Sequence, residues 1–155
     1  TRKEMSDVPA HWEVMNRAIA LRDTLAPETL ILGNGDVKDI ADAELRVAET
    51  GCDGVMFGRA IYGNPWLFDE ANNPELGRGT DRTPEQRIQS LIEHLTLFEE
   101  LLGETTNYSV MKKHFKAYIS GWDNAKELRV RLMETTSVSG AIDILREAEI
   151  ETVSQ

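Results

Sequence analysis

TLILGNGD (residues 29–36) and GVMFGR (residues 54–59) each contain a short apolar run closed by a glycine. The runs are residues 29–32, before Gly33, and residues 55–57, before Gly58. Such a run, bounded by turn residues, is typical of a fully buried strand in a parallel sheet. Asp39 is placed to cap a helix between them, and Gly51 lies where a left-handed residue ends a helix. This alternation of helix and strand predicts parallel βαβ units, and so the α/β class, over residues 1–70.

Apolar residues at helical spacing predict the helices that flank the two strands. The first helix is expected to begin after an N-cap at Asp7 and to end before Pro27. Its apolar positions are Trp12, Met15, Ile19 and Leu25. In the second helix, the expected buried face carries Ala41, Leu45 and Ala48.

The chain changes character after residue 70. Residues 71–82 are polar and rich in turn-forming residues, which predicts a linker. Thr83, Pro84 and Gln86 then form the pattern of a helix start with a capping box. Further apolar stripes with helical spacing follow, and we find no further strand pattern. Residues 83–149 are therefore predicted to form a small antiparallel helical bundle.

Composition restricts the class of protein. The 155 residues are 41% hydrophobic and 28% charged, as in globular proteins. No apolar run approaches the ~18 residues of a membrane span, so we expect no membrane partner. The single cysteine, Cys52, excludes an internal disulfide and a cysteine-rich zinc site, and it fits a reducing, cytoplasmic setting. The three histidines (His11, His94 and His114) show no metal-ligand spacing, so no metal site is predicted.

The charge is unevenly distributed. The chain has a net charge of −10, which argues against a generic nucleic-acid binder. Residues 107–131, however, contain six basic and two acidic residues, while the rest of the chain contains 11 basic and 25 acidic residues. The basic residues are Lys112, Lys113, Lys116, Lys126, Arg129 and Arg131. This patch is interpreted either as a surface that binds nucleic-acid phosphates or as an ordinary solvated helix face.

Glycines and an arginine follow the two predicted strands. Glycine lets a ligand approach the backbone closely, and free N–H groups at a helix start favour an anion. Arginine adds a planar donor fork that suits phosphate. The predicted anion-binding residues are Asn34, Gly35, Asp36, Gly58 and Arg59. The alternative is that residues 33–36 (GNGD) form only a tight turn.

Several motifs occur in a fixed order along the chain. They are NGD (34–36), TGCDGVMFGR (50–59), GNPWLF (63–68), MKKH (111–114) with Tyr118 and Gly121, and LR (128–129). Together they resemble the tRNA-dihydrouridine synthase family, and the downstream ones resemble its bacterial DusB branch. Thr1-Arg2 resembles the tail of that family's His-Gly-Arg-Thr-Arg segment, and the resemblance extends to about residue 148.

The resemblance implies an N-terminal (β/α)8 TIM barrel that holds FMN, followed by a C-terminal helical domain that helps bind tRNA. NADPH reduces the flavin, which reduces a uridine of tRNA to 5,6-dihydrouridine, while a cysteine supplies a proton. It implies that the five anion-binding residues hold the phosphate and ribityl end of FMN. The residues implied for tRNA binding are Lys112, Lys113, His114, Lys116 and Arg129.

The same resemblance implies that some of the family's catalytic residues lie outside this sequence. The family's catalytic cysteine lies upstream, and Cys52 is not its counterpart but a structural residue between a helix end and a strand. No catalytic residue is therefore assigned. We expect residues 1–70 to be the last βα units of a barrel whose N-terminal half is missing, and the isolated chain to be inactive.

Two other functions remain open from the sequence. The helical domain could act alone as a tRNA- or RNA-binding module, with residues 1–70 as a remnant. The chain could instead belong to another FMN- or phosphate-binding barrel enzyme, because a phosphate site after the last two strands recurs in many barrels.

Overall fold

The computed structural model describes residues 8–72 and 82–153. Asp7, the predicted first N-cap, lies outside the described residues, as do residues 73–81 of the predicted linker. The prediction that the first helix starts directly after Asp7 is wrong, because that helix begins at Glu13. The chain divides into two compact units. One comprises Thr1–Ile61 and Leu67–Glu75, and the other comprises Tyr62–Trp66 and Leu76–Gln155.

The first unit alternates helices and strands as its apolar pattern predicts. Its elements are α1 (Glu13–Leu25), β1 (Leu32–Asn34), α2 (Ile40–Thr50), β2 (Gly54–Met56), a 3₁₀ turn (Arg59–Ile61) and α3 (Leu67–Asn72). The two strands are parallel, with Leu32 opposite Gly54 and Asn34 opposite Met56. Because parallel strands share one direction, the loops that follow β1 and β2 leave the same edge of this two-stranded sheet.

The prediction that both strands are fully buried is wrong. Leu32 is 61% exposed and Met56 is 52% exposed, while Leu30, just before β1, is 75% exposed. Side chains alternate between the two faces of a strand. Gly33 and Val55 face the helices, whereas Leu32 and Met56 share the opposite face, which is exposed among the described residues.

The prediction of which face of α2 is buried is also wrong. Ala41, Leu45 and Ala48 are exposed. The helix instead turns Ala43 and Thr50 inward, and both are buried. Thr50 can occupy the buried face because its hydroxyl donates to the Arg46 carbonyl, one turn earlier (2.7 Å).

Local helix signals in this unit are confirmed. The Asp39 side chain accepts a hydrogen bond from the Asp42 N–H, and Gly51 ends α2 with a left-handed φ of 73°. The buried cluster consists of Trp12, Ile19, Val37, Ala43 and Cys52. The Cys52 thiol donates to the Gly54 carbonyl, which agrees with a structural role.

The second unit is helical over its described residues. Its elements are α4 (Pro84–Leu102), a 3₁₀ turn (Tyr108–Met111), α5 (Lys112–Tyr118), α6 (Ala125–Glu134) and α7 (Val138–Val153). The predicted capping box is confirmed, because Thr83 and Gln86 each accept a backbone N–H of the other. At the start of α7, the Ser137 hydroxyl accepts the N–H of Gly140.

One apolar cluster is shared by the four helices of the second unit. Its fully buried members include Ile88, Leu95, Phe115, Leu132 and Leu145. Leu102, the last residue of α4, is 47% exposed. None of the described helices combines the length and apolar character that a membrane span requires.

Candidate functional site

The loops after β1 and β2 bring two predicted anion-binding residues into contact. Asn34 is the last residue of β1 and lies opposite Met56, so the following turns are neighbours. Arg59 Nη2 donates to Asp36 Oδ1 across a distance of 2.6 Å. The sequence separation of these two residues is 23, and the parallel register is what makes them neighbours.

The backbone of the first loop is constrained. Gly35 has a φ of 125° and Asp36 has a φ of 53°. Aspartate is one of the few residues other than glycine that adopt this left-handed region readily, because its short polar side chain forms local hydrogen bonds. The glycine and the aspartate therefore occur where the chain turns sharply away from the sheet.

Gly58 marks open space at the end of β2. A side chain built at Gly58 would meet no other atom within 4 Å. Packing within the described residues therefore does not require glycine at this position. The missing side chain leaves room beside Arg59, where a bound group could approach the backbone.

The Arg59–Asp36 pair leaves the guanidinium accessible. The Arg59 side chain is 67% exposed and that of Asp36 is 38% exposed. Ion pairs this exposed contribute at most about 1 kcal/mol. The bond to Asp36 uses one of the five N–H donors of the guanidinium, so a phosphate could be bound by the others.

Two residues that sequence reasoning did not assign to the site support this loop. The Trp12 indole Nε1 donates to the Gly35 carbonyl (2.8 Å). The Ala10 N–H donates to Asp36 Oδ2 (2.7 Å), so the Asp36 carboxylate accepts from both Ala10 and Arg59. The sequence signal for Trp12 was only its helical spacing, which predicted a core position.

The basic residues of the second unit do not form one uniform surface. The Lys112 ammonium donates to the Met133 carbonyl at the end of α6 (2.7 Å). Arg129 Nη1 donates to the Ile119 carbonyl at the end of α5 (2.6 Å). Lys113 and Lys116 are exposed on α5. We call Lys113 and Lys116 the exposed lysine pair. On α6, Lys126 is exposed as well, and Arg131 is exposed and pairs with Glu147.

Replacing Arg129 with alanine is expected to lower the free energy of unfolding by about 1–2 kcal/mol. The substitution removes a charge-assisted hydrogen bond and leaves the Ile119 carbonyl without this donor. Urea denaturation followed by circular dichroism measures the change. Lys113→Ala is the matched control and should change stability by less than about 0.5 kcal/mol. Equal, small effects of both substitutions would contradict the structural role of Arg129.

His114 lies within a group of aromatic rings rather than among the exposed bases. Its ring centroid is 5.3 Å from that of Tyr62 and 5.0 Å from that of His94. His94 Nδ1 and the Tyr118 hydroxyl share a hydrogen bond of 3.2 Å. Partial burial lowers the pKa of both histidines, and the charges of His94 and Lys113 lower the pKa of His114 further. The lowered pKa values favour the neutral form of both rings.

The histidine pair is expected to make the second unit less stable in acid. The ordinary histidine pKa is 6.5, and the folded values lie below it. The unfolded chain therefore takes up protons first as the pH falls, so the free energy of unfolding decreases below pH 6.5. Above pH 6.5 the free energy of unfolding keeps this contribution in full. Urea titrations between about pH 8 and pH 5 measure this slope.

The control for this prediction is the double variant His94→Gln/His114→Gln. It removes both titrating rings and should flatten the decline between neutral and acidic pH. A variant that declines as steeply as the wild type would show that other groups cause the pH dependence.

Metal ligands do not converge in the part of the chain that the structure describes. Residues 8–72 and 82–153 hold no group of three or more histidine, cysteine, aspartate or glutamate side chains that could bind a metal ion.

Comparison with known proteins gives a consistent family match. The family model described as dihydrouridine synthase (Dus) matches residues 1–154. A probable tRNA-dihydrouridine synthase of Staphylococcus aureus (strain N315) is 39% identical over 153 residues, covering 97% of this chain and 44% of the relative. A probable tRNA-dihydrouridine synthase 2 of Bacillus subtilis (strain 168) is 36% identical over 151 residues, covering 96% and 44%. The chain thus spans less than half the length of these relatives.

Proposed function

The chain belongs to the dihydrouridine synthase family, and from this premise we propose that the intact protein reduces uridine in tRNA to 5,6-dihydrouridine. FMN is the proposed cofactor and NADPH the proposed reductant. The relatives are named for tRNA-dihydrouridine synthesis, which supports tRNA as the substrate.

The contact between Asp36 and Arg59 at the ends of two parallel strands carries this proposal. In (β/α)8 barrels, loops in this position frequently bind a phosphate group. FMN ends in a phosphate, and the loop glycines, the open space beside Gly58 and the exposed Arg59 guanidinium fit such a group. We therefore assign the phosphate and ribityl end of FMN to Asn34, Gly35, Asp36, Gly58 and Arg59.

Arg59 and Asp36 have roles that do not depend on the flavin ring. Arg59 supplies positive charge and directional donors for the phosphate. Asp36 holds the guanidinium at the edge of the sheet by accepting one of its N–H groups. When bound, FMN supplies the hydride chemistry, and the protein supplies its binding and orientation.

The two strands are proposed to be the last two of a (β/α)8 barrel. The exposed face formed by Leu32 and Met56 is apolar, as the interior of such a barrel would be. The remaining strands and the catalytic cysteine would then lie in the part of the relatives that this chain does not span. Cys52 is buried and bonded to the Gly54 carbonyl, so we give it no catalytic role.

The exposed lysine pair is the proposed contact for tRNA phosphates. Lys113 and Lys116 present their charges to solvent from one helix, and phosphate contacts need no base recognition. Lys112, His114 and Arg129 are proposed to support this surface from within, because each contacts groups of its own unit.

Nucleoside analysis of tRNA tests the proposed function. The intact protein is incubated with FMN, NADPH and an unmodified tRNA transcript, and the digested tRNA is examined for dihydrouridine by mass spectrometry. We expect dihydrouridine with the intact protein and none with the isolated 155-residue chain. Unmodified tRNA after incubation with the folded, flavin-loaded protein would refute the proposal. Binding of tRNA without binding of flavin would instead indicate an RNA-binding module.

A further inference from the structure

A short segment before α1 holds the loop that follows β1 at three points. The Trp12 ring lies against Gly33, so closely that a side-chain carbon at Gly33 would be 2.4 Å from the ring. The same indole donates its N–H to the Gly35 carbonyl. Two residues earlier, the Ala10 N–H donates to Asp36 Oδ2. Both ends of the loop are thus fixed by residues 10–12.

The indole itself has little freedom to move. Trp12 is 7% exposed and belongs to the buried cluster of the first unit. The Arg46 guanidinium lies 5.3 Å from the indole centroid, which is within the range of a cation–π contact. A side chain packed in this way provides a rigid support for the loop backbone.

A continuous series of contacts leads from Trp12 to Arg59. The indole fixes the Gly35 carbonyl, and Gly35 precedes Asp36, whose φ of 53° turns the chain. Asp36 Oδ1 then accepts from Arg59 Nη2. A displacement of the indole would therefore move the carboxylate that holds the guanidinium.

We propose that Trp12 is a positioning residue of the phosphate-binding site, which acts by holding the Gly33–Asp36 loop and, through Asp36, the Arg59 side chain. For FMN as the ligand, this inference rests on the proposed function. The proposed anion site is formed by described residues and can be tested without a flavin.

Trp12→Phe in the intact protein separates this role from simple core packing. Phenylalanine retains an aromatic ring but lacks the N–H that binds the Gly35 carbonyl. The loss of that bond should raise the Kd for FMN about three- to tenfold. The Kd for riboflavin, which lacks the phosphate but keeps the ribityl chain, should rise clearly less, because the expected defect is greatest at the phosphate end.

Ile19→Val is the matched control for core packing. Ile19 lies in the same buried cluster as Trp12 and makes no hydrogen bond to the loop through its side chain. This variant should lose thermal stability while keeping the wild-type ratio of FMN to riboflavin affinity. A Trp12→Phe protein with an unchanged ratio, or with equal losses for both flavins, would overturn the inference.

Gly33→Ala provides a second variant if Trp12→Phe does not fold. The added methyl group would collide with the indole and push it from the loop, while the indole N–H stays present. The same selective loss of FMN affinity is expected, and equal loss for both flavins would count against the inference.

Inorganic phosphate distinguishes the failure of this inference from the failure of the proposed function. If the wild-type protein binds phosphate but neither flavin, the flavin-dependent function is refuted. The inference then stands only if Trp12→Phe weakens phosphate binding and Ile19→Val does not. If the wild-type protein binds neither flavin nor phosphate, both proposals fail.

Discussion

Replacing Arg59 with alanine is expected to weaken FMN binding by the intact protein about ten- to hundredfold. The guanidinium is the charged donor at the edge where β1 and β2 end, and charge-assisted hydrogen bonds to phosphate are among the strongest in proteins. Truncation removes both the charge and the fork of donors. Fluorescence titration of the apoprotein with FMN measures the change in Kd.

Arg17→Ala is the matched control for this substitution. Arg17 is an exposed arginine of α1 in the same unit. Its loss changes the net charge equally and should leave the Kd for FMN unchanged. Riboflavin should bind the Arg59→Ala protein nearly as well as the wild type. If Arg59→Ala binds FMN with the wild-type Kd, Arg59 does not bind the FMN phosphate, and this part of the proposed function is wrong.

Reversing the charge of the exposed lysine pair is expected to weaken tRNA binding about tenfold at moderate salt. In Lys113→Glu/Lys116→Glu, two cations that could neutralise phosphates are replaced by anions. The dependence of log K on log salt should become less steep by about 2, since about one counterion is released for each phosphate contact. Filter binding at several salt concentrations measures both quantities.

The control is Arg17→Glu/Arg146→Glu, which produces the same change in net charge at two other exposed positions. A purely long-range charge effect would make the two double variants equally weak. We expect the control to keep a salt dependence close to that of the wild type. If Lys113→Glu/Lys116→Glu leaves the affinity and the salt dependence unchanged, the exposed lysine pair does not contact tRNA.

Features that depend on near neighbours in sequence were predicted well. The caps at Asp39 and Thr83 and the left-handed Gly51 each involve groups within four residues, so the local pattern contains the necessary information. Strand burial was predicted wrongly for the opposite reason. Whether Leu32 and Met56 are covered depends on what lies across the sheet, and a short apolar run carries no information about that partner.

In the candidate site too, features set by local sequence could be predicted, and features set by tertiary contacts could not. Glycines, an aspartate and an arginine after two strands could be identified from their types and positions, and the structure brings Asp36 and Arg59 together. The role of Trp12 could not be predicted from the sequence, because the carbonyl that its indole binds, that of Gly35, is 23 residues away. Likewise, Lys112 reaches a carbonyl 21 residues away, and only tertiary packing decides that acceptor.

The crystal structure of the intact protein with FMN tests the central claim most directly. We expect the flavin phosphate within hydrogen-bonding distance of the Arg59 guanidinium and of the Gly33–Asp36 loop, with Trp12 still bonded to the Gly35 carbonyl. A phosphate bound elsewhere, with Arg59 held only by Asp36 and no ligand at the ends of β1 and β2, would contradict the account.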